Sequence, residues 1–385
     1  MISRSFLAVL LVVAAFSAAV GNGKSLRVSV GNPSAFVREN ETIEIPLNVI
    51  FHALGRVDTA SLTVSDSETN AVLLSQATGT TLLFQTTLPP RGRKEFTVRS
   101  VGSKKKLSAS LVDGRYVLPR EDYAWENDRI AFRMYGPALA AEVNNGIDVW
   151  CKRVKYLIVA KWYRESESAP PGKDTYHQDR GEGADFFEVG RSLGAGGSGI
   201  WVNGAVLQPG VFTSQRTLLN GPIRVSFELT YKWQIAGYAL TERKVITLDA
   251  GQNLNRVAVT FLGSVLGDTL TLVCGLVKRA NTSPSMDASL GRMTLWGLTN
   301  ADTVNGYLGT AVVIPSPVFR TFAEDKEQFL LLAKTMTGST LTYCAGAGWS
   351  RNGEFHSADD WNGYVDRTAQ ALRAPLLVTY VERSE

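Results

Sequence analysis

Residues 242–261 read ERKVITLDAGQNLNRVAVTF and determine the predicted architecture more than any other segment. They overlap two predicted β-strands, residues 238–248 and 255–260, and similar runs fill most of the chain after residue 25. In residues 25–30, apolar side chains alternate with polar ones, the period-two pattern of a half-buried strand. Polar or Gly/Pro turns separate the runs, in keeping with 35 glycines and 14 prolines. Short, regularly spaced strands with such turns predict an all-β sandwich.

Few segments depart from this strand pattern. Residues 359–371 form the one convincing helix candidate, with Ser357 or Asp359 as its cap and Pro375 as its stop. Residues 155–163 are predicted as a strand. Residues 25–118 form a candidate N-terminal β-subregion, but no linker follows them, which favours one continuous β-sandwich domain over residues 22–385.

The N-terminus has the pattern of a signal peptide, predicted over residues 1–21. Arg4 precedes an apolar run, residues 6–16, which is too short to span a bilayer, and small residues follow it. Cleavage after Ala19 or Gly21 satisfies the small-x-small rule. The mature chain is then secreted or periplasmic, with no membrane partner; the alternative is a buried first helix or strand.

Composition excludes several classes of function. The chain has 385 residues, 44% hydrophobic and 20% charged, which excludes intrinsic disorder as a whole-chain description. Forty Lys and Arg against 36 Asp and Glu give a net charge of +4, too small to indicate a nucleic-acid partner. Cys151, Cys274 and Cys344 fit no zinc spacing and are expected to be buried and reduced.

The densest polar segment is KDTYHQDRGEGAD, residues 173–185, and it is the first candidate site. A loop of this length in a compact domain is often functional, although a solvated surface loop is the alternative. Lys161 and Trp162 lie just before it and are assigned to substrate binding. No cofactor is expected here, the alternative being a divalent metal near Asp179, Glu182 and Asp185. The candidate side chains of the segment are Tyr176, His177, Asp179, Arg180, Glu182 and Asp185.

Residues 125–137, WENDRIAFRMYGP, form the second candidate. Alternation places Arg129, Arg133 and Tyr135 on the sheet face opposite the buried residues. Guanidinium groups bind carboxylates in a bidentate fork, so this face suits an anionic or sugar ligand. The alternative is a solvated face with salt bridges to Glu126 and Asp128.

Residues 349–361, WSRNGEFHSADDW, form the third candidate, preceded by Tyr343. Trp349 and Trp361 flank polar residues that include Arg351 and His356, an arrangement that suits a sugar-stacking rim. The alternative is a core-facing pair of Trp side chains that packs the predicted helix.

Four strings carry a resemblance to a known family: WENDRIAFRMYGPAL (125–139), YHQDRGEGADFFEVGRSLGAGGSGIW (176–201), ERKVITLDAGQNLNRVAVTF (242–261) and AGAGWSRNGEFHSADDW (345–361). On these strings, residues 25–385 resemble the bacterial domain-of-unknown-function 4861 family. The third string more generally resembles the supersandwich of galactose-mutarotase-like and lyase-associated domains. The resemblance implies a large antiparallel supersandwich with few short helices.

The resemblance also implies an enzyme of polysaccharide breakdown, because the family includes an oligosaccharide dehydratase. That reaction removes water from a non-reducing-end uronic acid and leaves a 4,5-unsaturated sugar. The competing hypotheses are a polysaccharide lyase, a hydrolase or epimerase of uronic sugars, and a noncatalytic sugar-binding protein with an aromatic rim of Trp162, Trp349 and Trp361.

Elimination of water needs a base for the C5 proton, a cation or hydrogen-bond donor for the uronate, and an acid for the departing hydroxyl. His177 or Tyr176 is the predicted base. The predicted carboxylate ligand is Arg133, Arg180 or Lys161, and the predicted acid is Tyr343, His356 or Glu182. An oligosaccharide that contains uronic acid is the expected partner.

Overall fold

The computed structural model describes residues 24–102, 109–170, 173, 175–235, 237–263 and 268–383, without the side chain of Arg383. The predicted signal peptide lies outside these residues, and its assignment stays a prediction. The described chain is an all-β supersandwich with three α-helices. None of the described helices is both long and apolar enough to cross a bilayer.

The first part of the chain forms a small sandwich of its own. One sheet has the order β26-β1-β7-β3-β4, in which β26 (Leu377–Arg383) comes from the end of the chain, and the other has the order β2-β6-β5. Apolar side chains of both sheets and of α1 form a separate hydrophobic cluster that includes Val28, Ile45 and Phe96. The elements are β1 (Ser25–Gly31), β2 (Arg38–Pro46), α1 (Leu47–Leu54), β3 (Leu62–Asp66), β4 (Val72–Leu73), β5 (Ser75–Ala77), β6 (Thr81–Leu88) and β7 (Arg93–Ser100).

A five-stranded sheet, β12-β11-β10-β9-β8, follows and carries α2 on its outer face. A parallel bridge between Ile147 and Gly194 joins it to the next sheet. Its elements are β8 (Val112–Val117), β9 (Asp122–Asn127), β10 (Ala131–Met134), β11 (Asp148–Lys152), α2 (Val159–Ser168) and β12 (Gly183–Ala184).

The rest of the chain forms an eight-stranded sheet, β15-β16-β17-β18-β25-β22-β21-β20, and a five-stranded sheet, β14-β13-β19-β24-β23. The final strand returns to pair with β1 in the small sandwich. The elements are β13 (Ala195–Val202), β14 (Ala205–Leu207), β15 (Ser214–Asn220), β16 (Arg224–Ile235), β17 (Tyr238–Asp249), β18 (Leu254–Leu262), β19 (Thr269–Val277), β20 (Ser283–Asp287), β21 (Arg292–Leu298), β22 (Tyr307–Val313), β23 (Phe319–Glu324), β24 (Gln328–Met336), β25 (Thr340–Trp349), α3 (Ala358–Arg373) and β26 (Leu377–Arg383).

The main core lies between the eight-stranded sheet and two of the five-stranded sheets, β12-β11-β10-β9-β8 and β14-β13-β19-β24-β23. Phe227 from the first sheet, Phe132 from the second and Leu272 from the third belong to one buried cluster. The alternating pattern of the strands accounts for this, because each strand turns one apolar face inward. The two strands predicted in residues 242–261 are β17 and β18, which pair antiparallel. The all-β prediction is confirmed.

The small sandwich docks on one end of this core. Arg224 pairs with Glu44 at 2.7 Å, and the Gln76 side-chain oxygen accepts from the main-chain N–H groups of Ile223 and Arg224. Its apolar cluster is nevertheless distinct from the main core. The single-domain description and the candidate subregion, residues 25–118, both stay predictions.

Two local predictions have clear outcomes. The helix predicted at residues 359–371 is α3, and the Ser357 hydroxyl caps it by accepting from the Asp360 main-chain N–H. The strand predicted at residues 155–163 is wrong, because α2 begins at Val159. Val159, Trp162 and Tyr163 are the buried residues of α2, at the i, i+3, i+4 spacing of a helix. The three cysteines are free and buried, as expected.

Candidate functional site

The candidate site lies between the sheet β8–β12 and α2. Strand β10 directs Phe132 and Met134 into the main core. Ala131 of the same strand and Trp150 of the neighbouring β11 face α2. The Glu126 carboxylate fixes the start of α2 by accepting from the main-chain N–H groups of Ile158 and Val159. An acidic group at a helix N-terminus satisfies main-chain donors that have no partner within the helix.

Arg133 is the centre of the site. Its Nε donates to Asp148 Oδ2 at 2.8 Å, and its Nη2 donates to Asp185 Oδ2 at 3.0 Å. A third carboxylate, that of Asp122, lies 3.8 Å from Nη1. All four side chains are buried. One guanidinium therefore holds together three carboxylates from separate strands and a loop. We call Arg133 and these three aspartates the Arg133 cluster.

Aromatic rings enclose this cluster. The guanidinium carbon of Arg133 lies 4.6 Å from the Tyr135 ring centroid and 4.9 Å from that of Trp150. The Tyr135 hydroxyl donates to Asp148 Oδ2 at 3.1 Å. The Tyr176 ring stacks on the Trp150 ring, with their centroids 4.7 Å apart. The rings exclude water, so the electrostatic interactions inside are stronger than on the surface.

The cluster perturbs its own acids. Burial raises the pKa of Asp185 well above its usual range, the Asp148 carboxylate adds to this effect, and Arg133 opposes it. Burial also raises the pKa of Asp122, again against Arg133. Three carboxylates around one cation favour retention of a proton. Shifts of this kind are concentrated at functional sites, although structural ion-pair networks produce them too.

His177 lies at the exposed edge of the cluster. Its Nδ1 is 3.0 Å from the Asp185 main-chain carbonyl oxygen and 3.8 Å from the Asp185 carboxylate, and its side chain is 55% exposed. A carbonyl oxygen only accepts, so Nδ1 carries the proton and the lone pair of the neutral ring lies on Nε2. His177 is therefore held in the tautomer of a base.

The loop that carries His177 is folded by local contacts. The main-chain N–H of Asp185 donates to the Tyr176 carbonyl at 2.7 Å, which closes the loop and brings its ends together. Asp179 accepts from the main-chain N–H groups of Gly181 and Gly183. Gly183 has φ +105°, and a Cβ there would lie 2.0 Å from the Cys151 carbonyl oxygen, so only glycine fits.

The predicted chemical roles of Glu182, Lys161 and Arg133 change. Glu182 accepts from Lys161 Nζ at 2.6 Å and from the Tyr156 hydroxyl at 2.5 Å. These contacts lower the pKa of Glu182, so it does not suit the acid role, and Lys161 is occupied by it. Arg180 is exposed on the same loop. Arg133 is also unsuited as a carboxylate ligand for substrate, because protein carboxylates already surround it.

The predicted aromatic rim is wrong. Trp349 and Trp361 are each 0% exposed, and Trp162 is 4% exposed and packs against Trp150. The Trp361 indole donates to the Thr310 carbonyl and packs α3 on the sheet, as the alternative held. A Cβ at Gly309 or at Gly348 would lie 2.6 or 2.7 Å from the Trp361 ring, so glycine makes its space.

The remaining predicted residues lie elsewhere. Tyr343 is 1% exposed in the main core and donates to the Gly196 carbonyl at 2.9 Å, so it is not available as an acid. His356 and Arg351 are exposed in the segment before α3. Arg129 does not share a face with Arg133; it pairs with Glu354 at 3.2 Å in a cleft of about 320 Å³ beside α3.

Sequence reasoning missed Asp122, Asp148, Trp150 and Tyr163. A usable signal was present in DVWCK, residues 148–152, where alternation places Asp148, Trp150 and Lys152 on one face. The three acidic residues of the alternative metal site form separate salt bridges. Asp179 pairs with Arg153, Glu182 with Lys161 and Asp185 with Arg133. Within the described ranges, no group of three His, Cys, Asp or Glu side chains is placed to hold a metal ion.

Comparisons with known proteins identify one family. The model of the family described as domain of unknown function (DUF4861) matches residues 30–378. "Uncharacterized protein P7" of Formosa agariphila is 31% identical over 379 residues, which cover 91% of this chain and 92% of that protein. A glycosyl hydrolase family 38 protein from Enterococcus faecalis has a solved structure that covers 93% of this chain at 10% identity and a TM-score of 0.49. This chain spans 47% of that structure.

Proposed function

Because the chain belongs to the domain-of-unknown-function 4861 family, we propose that it is a carbohydrate-active lyase, an oligosaccharide dehydratase. It acts on a non-reducing-end uronic acid and forms a 4,5-unsaturated sugar. The observation that carries the proposal is the placement of His177, with its tautomer fixed by Asp185, at the rim of the Arg133 cluster.

His177 Nε2 takes the C5 proton. The Asp185 carboxyl group lies 3.8 Å from Nδ1 and stabilises the imidazolium in the ionised form of Asp185. The predicted separate acids lie outside the site or are paired, so the same imidazolium protonates the departing O4. The C5–H and C4–O bonds break, the C4=C5 bond forms, and one water leaves. The steps balance without an oxidant or a cofactor.

The uronate itself needs a cation so that negative charge can develop beside C5. Arg120 and Arg180 are the arginines assigned to this role, in place of Arg133. The Arg120 guanidinium lies 5.7 Å from the Tyr176 ring centroid and donates to the Ser166 hydroxyl at 3.0 Å. Arg120 therefore lies next to Tyr176, the residue that precedes His177 in the sequence. Arg180 lies on the same loop as His177.

The Arg133 cluster positions the base. It fixes Asp185, whose main chain orients His177 and whose side chain supports its charge. Burial of the cluster makes that support rigid, because no water competes for the hydrogen bonds. Arg133, Asp148 and Asp122 are positioning residues in this mechanism, and only His177 touches the reacting atoms.

The test is incubation of the mature protein with saturated uronic-acid oligosaccharides, followed by mass spectrometry and ultraviolet absorbance. Loss of one water with a new conjugated-alkene absorbance and unchanged chain length supports the dehydratase. New absorbance with shortened chains replaces it by a polysaccharide lyase with the same base. Binding without any product replaces it by a sugar-binding protein.

A further inference from the structure

A second cavity lies away from His177 and is lined in part by the segment that follows Asp185. Its volume is about 510 Å³, and its walls come from residues 186–192, the end of β19 and the loop before β22. Phe186, Arg191 and Arg279 are among the lining residues. Nothing in the proposed elimination uses this cavity.

Arg279 lines this cavity, and no acidic side chain among the described residues is paired with its guanidinium. Its Nη2 donates to the Leu308 carbonyl at 2.7 Å and its Nε to the Leu298 carbonyl at 3.3 Å. Its Nη1 is buried and has no hydrogen-bond partner in the described part of the chain. Burial lowers the pKa of Arg279 to about 10. A buried charge without a counter-charge is costly, so this site is incomplete as it stands.

The guanidinium groups of Arg133 and Arg279 differ in their charge partners. Arg133 is buried with three carboxylates around it, and its charge is fully compensated. Arg279 has two main-chain carbonyls and the Phe187 ring, 5.5 Å from its guanidinium carbon. A bound anion would supply Arg279 with the compensating negative charge that the three aspartates supply to Arg133.

The walls of the cavity are cationic as well. They carry four basic side chains, Arg191, Lys278, Arg279 and Lys326, against the two carboxylates of Glu188 and Glu327, and Lys278 is itself paired with Glu324 at 2.8 Å. Both glutamates are exposed, whereas the Arg279 guanidinium lies deeper. Charge therefore favours an anion at the inner end of the cavity, and the volume of the cavity leaves room for a sugar ring next to Phe186.

We propose that this cavity binds an oxyanion carried by a saccharide, a sulfate ester or a carboxylate, with Arg279 as its principal ligand. A guanidinium presents paired N–H donors that match either group. Arg279 Nη1 supplies the donor that has no partner within the described protein, and Lys326 adds charge at the mouth. The site is separate from His177 and does not rest on the proposed elimination.

The experiment measures thermal unfolding of the mature protein with sodium sulfate or sodium glucuronate, each against sodium chloride of equal ionic strength. Sulfate also stabilises proteins generally, so the response is compared with that of Arg279→Gln and of a control, Arg216→Gln. Arg216 is 64% exposed and pairs with Glu228 on another surface. We expect wild type and R216Q to show the same saturable rise in Tm, and R279Q to lose it.

The two anions separate the two ligand classes, since a sulfate-ester site responds more strongly to sulfate and a uronate site to glucuronate. Lys326→Gln, at an exposed position, is the second variant and is expected to weaken the anion affinity several-fold even if R279Q fails to fold. The proposal is overturned if neither anion exceeds chloride in wild type, if R279Q responds like wild type, or if K326Q leaves the affinity unchanged. His177→Ala is expected to keep the anion response, which separates this test from that of the elimination.

Discussion

His177 Nδ1 lies 3.0 Å from the main-chain carbonyl oxygen of Asp185, eight residues further along the chain. One residue thus fixes the tautomer of the histidine through its main chain and faces the same nitrogen with its carboxylate at 3.8 Å. The Arg133 cluster in turn holds that carboxylate in a buried setting. The exposed base and the buried charges are one connected arrangement.

Asp185→Asn tests the carboxylate separately from the carbonyl. The amide keeps a hydrogen-bond acceptor for Arg133 but removes the ionisable carboxyl group that faces Nδ1 of His177. We expect kcat to fall about tenfold or more, which corresponds to about 1.4 kcal/mol of transition-state stabilisation. We also expect the pH profile of kcat to shift while KM changes little. Asp179→Asn, on the same loop but paired with Arg153, is the control and should retain activity. Equal kcat values in the two variants would contradict the assigned role of Asp185.

Arg133→Met tests the cluster as a structural unit. It leaves Asp122, Asp148 and Asp185 buried without their cation, and loss of one partner of a buried pair costs about 3–5 kcal/mol. Urea unfolding measures the change. Arg243→Met removes a 47% exposed arginine paired with Glu228, so it is expected to cost less than about 1 kcal/mol. Similar losses in both variants would show that Arg133 does not compensate buried charge.

Asp122→Asn tests the raised pKa of this acid. Asp122 Oδ2 accepts from the Tyr163 hydroxyl at 3.1 Å, while Oδ1 is buried without a hydrogen-bond partner among the described residues. An acid whose pKa is raised in the folded state binds more protons when folded, so its contribution to stability is lost as pH rises. From about pH 4 upward, the usual Asp range, we expect the wild-type free energy of unfolding to decrease relative to that of D122N. A difference that stays constant with pH would contradict this prediction.

Trp361→Ala tests the corrected position of this ring. The side chain is fully buried under α3, so its loss is expected to cost about 3–5 kcal/mol. Sugar binding and turnover per folded molecule should not change. Trp296→Ala is the matched control, because Trp296 is only partly buried and stacks on the exposed Tyr307. A selective loss of sugar affinity in W361A would support the sugar-stacking role of Trp361 and contradict its assignment to the core.

Local sequence patterns predict the strands and helices better than they predict the tertiary contacts between them. The alternation in β10 and the Ser357 cap of α3 are local signals, and both elements were predicted from them. The pairing of Arg133 with Asp185, 52 residues apart, depends on how β12 returns to β11. No spacing within either segment encodes that contact.

The errors have similar causes. A polar segment with Trp at each end gives the same pattern whether its rings are exposed or buried, and the glycines that make space for Trp361 lie on other strands. In residues 155–163, the apolar content alone predicts a strand. The helical spacing of Val159, Trp162 and Tyr163 was the better signal.

In the proposed mechanism, His177 is the base of an elimination. The most direct measurement compares wild type, His177→Ala and the control His356→Ala, an exposed histidine before α3, on saturated uronic-acid oligosaccharides by mass spectrometry and ultraviolet absorbance. General acid–base catalysis contributes about 10²–10⁴ in rate. We expect wild type and H356A to release one water without shortening the chain, and H177A to lose activity by that factor while remaining folded. Undiminished activity in folded H177A would show that His177 is not the base.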